Sequence, residues 1–139
     1  MGKAKGNDKT EKLKKIIQGE AIFPNDGEKG MISSEDDPQR WIFNIRQICL
    51  KPNFLELSAE AFWDIFEKDY PFQIGGQELA AVPIMAAIVL HGNRIGKPLN
   101  AFIIRKSRKI SRSQKMIEGT VNGEKIILVE RGVAFYVTL

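Results

Sequence analysis

Apolar positions in this chain come in separated groups, and their spacing predicts the order of the elements. Residues 1–37 are mostly polar and interrupted by Pro24, Gly27 and Gly30, so little regular structure is expected there beyond one short helix around Leu13–Ile17. Trp41-Ile42-Phe43-Asn44-Ile45 is rich in β-branched and aromatic residues, but its ends do not decide between strand and helix. Ser58 is a good helix cap with Glu60 in the first turn, and Phe62, Ile65, Phe66 and Asp69/Tyr70 follow at helical spacing. Pro71 stops that helix and biases Tyr70 to an extended form. Phe72-Gln73-Ile74 predicts a short strand running into Gly75-Gly76. A helix follows, with Pro83 in its first turn, where a missing N–H matters little. It runs through Ile84, Met85, Ile88 and Val89 and is expected to end at Gly92. Ala101–Ile104 and Lys125–Val129 are continuous apolar runs of buried-strand type, the second preceded by a hairpin-type signal at Asn122-Gly123.

The order strand, glycine loop, helix, strand, basic loop, strand predicts an α/β fold with a mainly parallel sheet. Ligands of such sheets bind at the carboxyl ends of the strands. Three segments meet that condition. Gly75 and Gly76 follow the first strand, where glycine permits close backbone approach and the amides leading into the next helix suit an anion. Arg105 and Lys106 follow the second strand directly. Glu130 follows the third, where a carboxylate suits a sugar hydroxyl or a hydrated Mg²⁺.

Charge sharpens the middle segment. The 139 residues carry 21 Lys+Arg against 17 Asp+Glu, a net charge of +4. Arg105, Lys106, Arg108, Lys109, Arg112 and Lys115 stand together with no acid among them, a cluster that repels itself unless a polyanion is present. The cluster suits a pyrophosphate or phosphate backbone. Lys3, Lys5, Lys9, Lys12, Lys14 and Lys15 form a second group, diluted by Asp8 and Glu11, and are expected to form a solvated, frayed terminus. One cysteine and one histidine exclude an internal disulfide framework and Cys- or His-rich metal sites. The longest apolar run, Leu79–Leu90, is broken by Pro83 and falls short of the ~18–20 residues of a membrane span. The lysine-rich start has no apolar core of a secretory signal, so a cytoplasmic, membrane-free protein is expected. Cys49 is expected as a small buried residue, His91 as a favourable partner of a helix end, and Trp41 and Trp63 as packing residues.

Phe72–Ile84, with Gly75-Gly76-Gln77-Glu78-Leu79-Ala80-Ala81-Val82-Pro83, resembles the first core strand, loop and helix of the type I phosphoribosyltransferases, in their orotate-type branch. Arg105-Lys106-Ser107-Arg108-Lys109, continuing to Ile117-Glu118-Gly119, resembles that branch's strand-end cations and mobile catalytic loop. Val121–Glu130 resembles the strand leading into the motif for phosphoribosyl pyrophosphate (PRPP). The resemblance covers residues 41–130. It implies transfer of phosphoribose from PRPP to a pyrimidine or similar nitrogenous base, with Mg²⁺ carried by PRPP and pyrophosphate released. It implies that Arg105, Lys106 and Lys115 bind pyrophosphate together with Gly75 and Gly76, that Lys109 is the catalytic loop lysine, that Glu130 holds ribose, and that the protein is a homodimer.

The chain departs from the family in two places. Ser111 and Arg112 stand where the loop has His-Gly, so Ser111 replaces a proton donor. After Glu130 the second acid is replaced by Arg131, and no Thr/Gly-rich phosphate loop follows before Leu139. These departures lead to the expectation of a truncated enzyme with weak or no turnover. Three regions are expected, on a core with an N-terminal hood-like segment: a basic, mostly irregular segment over 1–37, the N-terminal half of the core over 38–130, and a divergent tail over 131–139. Loss of two bases within an ancestral Glu-Asp pair would generate Glu-Arg-Gly and an out-of-frame tail, which reading the downstream DNA in the other frames tests. An unpaired strand edge and poor solubility are expected to accompany it. Two alternatives come from other classes: a non-catalytic pyrophosphate or nucleotide binder, and a basic nucleic-acid-associated module. The latter is the weaker because no aromatic residues interleave with the cations of 105–115.

Overall fold

The computed structural model describes residues 4–24, 41–107, 116–130 and 133–137. Helix α1 (Ala4–Glu20) leads into a two-stranded antiparallel ribbon of β1 (Ile22–Pro24) and β2 (Trp41–Phe43). A 3₁₀ turn at Ile45–Gln47 precedes α2 (Pro52–Phe66). The core alternates from there: β3 (Phe72–Gln77), α3 (Val82–Arg94), β4 (Ala101–Ile104), β5 (Ile117–Glu118), β6 (Lys125–Glu130) and β7 (Val133–Val137). The sheet order is β5-β4-β3-β6-β7. Strand β3 is central and parallel to both β4 and β6, while the edges β5 and β7 are antiparallel to their neighbours. The α/β class with a mainly parallel centre is as the apolar pattern predicts. The tail adds β7 to the sheet, with Glu130 opposite Val133, and β7 is itself an edge strand paired only with β6 among the described residues.

Several boundaries differ from the sequence reading. Helix α1 is seventeen residues long, not a single turn. It is held by its surroundings: Leu13, Ile16 and Ile17 pack on the core, and Lys9 Nζ lies 3.1 Å from both Glu60 and Asp64 of α2. Those two carboxylates raise the Lys9 ammonium above its ordinary value of 10.5. Lys12 and Lys14 pair within the helix with Asp8 and Glu11. Helix α2 begins at Pro52, not after Ser58. The proline presets φ in the first turn, and Lys51 ahead of it is extended (φ −80°, ψ 133°) with no side-chain cap. Tyr70 is extended before Pro71, as expected.

Helix α3 passes through Gly92 and ends at Arg94. Gly92 is buried under Trp63: an added Cβ would lie 2.5 Å from the indole ring. The left-handed residue that ends the helix is Gly96 (φ +75°). Lys97 N–H donates to the Gly92 carbonyl (2.8 Å) and Gly96 N–H to the Asn93 carbonyl (3.3 Å), a Schellman ending. Asn122-Gly123 is a turn but not a hairpin, since β6 pairs with β3 and β7 and not with β5. Asn122 Oδ1 caps that turn by accepting from Glu124 N–H at 3.1 Å.

The main core lies between the sheet and α2–α3. Phe62, Trp63 and Phe72 are at most 7% exposed, and Trp63 and Phe72 have ring centres 5.4 Å apart. Gln73 is fully buried on the same strand. Its amide donates to the Glu124 carbonyl (3.4 Å) and its Oε1 accepts from Asn122 N–H (3.3 Å), tying the β5–β6 connection to the sheet. Gln73→Leu is expected to cost about 1–2 kcal/mol in chemical denaturation, because it buries the same volume while leaving both backbone groups without this partner. An unchanged midpoint would show that the connection is held by other contacts.

Candidate functional site

The carboxyl ends of β3, β4 and β6 lie side by side because these strands are parallel and in register: Gly76 is level with Ile103 on one flank and with Val129 on the other. A cavity of about 320 Å³ opens at that edge. The β3–α3 connection contributes Gln77, Glu78, Leu79, Ala80 and Pro83. Lys106 and Glu130 reach it from the ends of β4 and β6. Arg46, Cys49 and Leu50 close it from the turn ahead of α2. One side is therefore an apolar platform, and the rest carries two cations and two carboxylates. Such a site suits a ligand with an anionic group, hydroxyls and a flat apolar part. A larger cavity of about 520 Å³ lies between α1, β2, α2 and α3, lined by apolar residues and Ser58, without charged groups.

The residues singled out in the sequence fall into four sets. Lys106 and Glu130 line the cavity. Arg105 does not line it: its guanidinium pairs with Glu118 of β5 at 3.3 Å and donates from Nε to the Ser107 carbonyl at 3.4 Å. Arg105 N–H also donates to the Met116 carbonyl (2.7 Å), so the basic segment leaves the sheet and returns to it at one place. Lys109, Ser111 and Lys115 lie outside the described residues.

Gly75 and Gly76 are corrected in place. They belong to β3 itself and not to a loop after it, and both are buried. The close approach they permit is to the protein's own core. A Cβ on Gly75 would lie 2.3 Å from the Phe102 ring. One on Gly76 would lie 2.7 Å from Ala81 Cβ and from the Val129 carbonyl oxygen. Gly76 thus lets the start of α3 settle on the sheet, which sets where Glu78–Ala81 turn.

Sequence reasoning missed Arg46 and Glu78 as site residues. Glu78 had a readable signal, being the first carboxylate after the strand. Arg46 had none, because only the fold brings the turn at Ile45–Gln47 over the strand ends. Cys49 is buried, as expected, with its thiol 3.5 Å from the Arg46 carbonyl, and it also borders the cavity. Trp63 is core, its Nε1–H donating to the Ile88 carbonyl at 3.0 Å. Among the described residues, no group of three or more His, Cys, Asp or Glu could hold a metal ion by itself, and no helix is long and apolar enough to cross a membrane.

The chain is similar to the orotate phosphoribosyltransferase of Bradyrhizobium diazoefficiens, 32% identical over 93 residues, covering 63% of this chain and 50% of that protein. Its fold matches the crystal structure of Mycobacterium tuberculosis orotate phosphoribosyltransferase in complex with Fe(III) dicitrate, with a TM-score of 0.65 and 23% identity over 87% of this chain and 65% of that one. The chain is a homologue of the orotate phosphoribosyltransferases. Its fold is that of the type I phosphoribosyltransferases. A second structure of the mycobacterial orotate phosphoribosyltransferase, in complex with PRPP, matches with a TM-score of 0.53 and 21% identity, over 90% of this chain and 58% of that one. No family model matches the chain. The chain spans about half the length of the curated orotate phosphoribosyltransferases it matches.

Proposed function

We propose that the strand-end cavity binds the diphosphate and ribose of PRPP, as part of an orotate-type phosphoribosyltransferase that acts on a pyrimidine base. The observation that carries this reading is the convergence of Lys106 and Glu130 on one cavity at the ends of three parallel strands. Lys106 and Arg105 would neutralise the diphosphate, whose charge grows as the glycosidic bond breaks. Glu130 would accept from a ribose hydroxyl. The apolar side formed by Leu79, Ala80 and Pro83 would face the base.

Mg²⁺ fits here as an ion carried by the diphosphate. The cavity offers the carboxylate of Glu130, which is free of ion pairs among the described residues, whereas Glu78 Oε1 is taken by the Lys106 N–H. Glu130 would share the ion with the ligand's oxygens. When bound, Mg²⁺ would offset charge on the leaving diphosphate. Lys109 of the basic segment would add a further cation, and a homodimer in the cytoplasm is the setting in which we place it. Ser111 offers a hydroxyl where the family has an imidazole, and Arg131 puts a cation where a second acid is expected. We infer weak turnover on that ground, with binding retained.

Calorimetry with PRPP and Mg²⁺ tests the reading. Saturable binding is expected. Arg105→Ala should weaken it about 10- to 100-fold, the scale of one lost charge-assisted contact at about 1.5–3 kcal/mol. No binding by the folded wild-type protein would overturn the reading. Binding to nucleic acid with a steep salt dependence, and none to PRPP, would favour the basic-module alternative. Binding of PRPP without any turnover across bases would leave a diphosphate-binding protein.

A further inference from the structure

Glu78 does something unusual at the end of β3. Its backbone N–H donates to the Ile104 carbonyl at 3.0 Å, continuing the parallel ladder one step beyond Gln77. In a parallel ladder, the next bond would run from the Lys106 N–H to the Glu78 backbone carbonyl. Instead, the Lys106 N–H donates to Glu78 Oε1 at 2.9 Å. The side chain takes the place of its own backbone. The main chain is thereby released to turn towards α3 while the two strand ends stay locked together. Both residues line the cavity.

We propose that Glu78 is the positioning residue for Lys106. Its carboxylate oxygen, acting as an acceptor, fixes the backbone of the strand-end lysine so that the ammonium is held at the anion side of the cavity. This rests on the proposed function, since an anion must bind there for the positioning to matter. Two properties of Glu78 oppose each other in such a site. The acceptor oxygen organises Lys106, whereas the negative charge repels the anion. Glutamine keeps the first and removes the second. Alanine removes both.

The test is titration of the full chain with inorganic pyrophosphate and Mg²⁺, comparing wild type, Glu78→Gln and Glu78→Ala. Glu78→Gln is expected to bind about two- to fivefold more tightly, because the acceptor remains and the repulsion is gone. Glu78→Ala is expected to bind about tenfold more weakly, because the Lys106 amide loses its partner and the strand end loosens. The amide resonance of Lys106 should move in Glu78→Ala and stay near its wild-type position in Glu78→Gln. Tighter binding by both variants would reduce Glu78 to a repulsive charge and overturn the proposal. So would equal weakening of both, which would make the charge itself the requirement, or affinities equal to wild type in both. If the wild-type protein binds no pyrophosphate while the Lys106 resonance behaves as described, the PRPP reading falls and the positioning role falls with it. If wild type binds and the variants fail to diverge, only the positioning role falls.

Discussion

Trp63→Ala is expected to remove about 4 kcal/mol of stability and to lower the melting temperature by roughly 15 °C for a chain of this size. The side chain is 2% exposed and sits where three layers meet. Its ring lies 5.4 Å from Phe72 on the sheet and 6.1 Å from Tyr70, and stands edge-on to Phe62. Its Nε1–H is bonded to the Ile88 carbonyl of α3, and its six-membered ring fills the space that a side chain on Gly92 would take. Alanine would leave a hole that α2 and α3 cannot close, because Gly92 offers nothing to fill it. Trp63→Phe should retain most of the buried area and cost about half as much or less, with the lost indole contact and the partial void as the difference. A loss below about 1 kcal/mol for the alanine variant in chemical denaturation would show that α2 and α3 do not meet through this ring.

The second large effect concerns Gly76. Gly76→Ala is expected to destabilise by about 3 kcal/mol, at the upper end of what one added methyl costs in a packed interior. The new atom would fall 2.7 Å from the Val129 carbonyl oxygen, 2.7 Å from Ala81 Cβ and 2.9 Å from Met85 Sδ. Two of these neighbours are held by β6 and by the start of α3, so neither yields without moving an element. Gly75→Ala is a useful contrast. The three nearest atoms all belong to the Phe102 ring, so truncating Phe102 should relieve most of the conflict. In a double-mutant cycle, Gly75→Ala with Phe102→Ala is expected to cost less than the sum of the two single changes, whereas Gly76→Ala with Phe102→Ala should be close to additive. Equal coupling in both pairs would contradict the placement of Gly75 against Phe102 and of Gly76 against Ala81 and Met85. Gly76→Ala should also weaken pyrophosphate binding, since lifting α3 moves Glu78.

How much of this was readable from the chain depends on where each element gets its stability. β4 and β6 were legible because Ala101–Ile104 and Ile126–Val129 are apolar without interruption, which only a covered strand tolerates. Helix α3 was legible for the same reason, save for its end. Gly92 looked like a terminator, but Trp63, twenty-nine positions earlier, makes it an interior contact. Helix α1 was underestimated because the acids that hold Lys9 come from α2. Strand β3 was cut short because glycine has no strand preference of its own. What keeps Gly75 and Gly76 extended is their pairing with Phe102 and Ile103 of β4 and with Leu128 and Val129 of β6, all distant in sequence. β5, with two residues, is too short to show any pattern. In the cavity, Lys106 and Glu130 were visible because they stand at the ends of apolar runs. Arg46 was not, since it reaches the cavity only after the whole chain has folded.

The central position of β3 also sets the order of events during synthesis. Among the described strands of the large sheet β3 is made first, yet one of its partners is β6, level with it from Phe72–Lys125 to Gly76–Val129. Until residue 130 has left the ribosome, the nascent sheet has at most the β4 flank, and the buried Gln73 lacks both of its backbone partners, Asn122 and Glu124. The strand that anchors the finished domain is thus exposed for longest on the way there, and that interval is when a chaperone would find it.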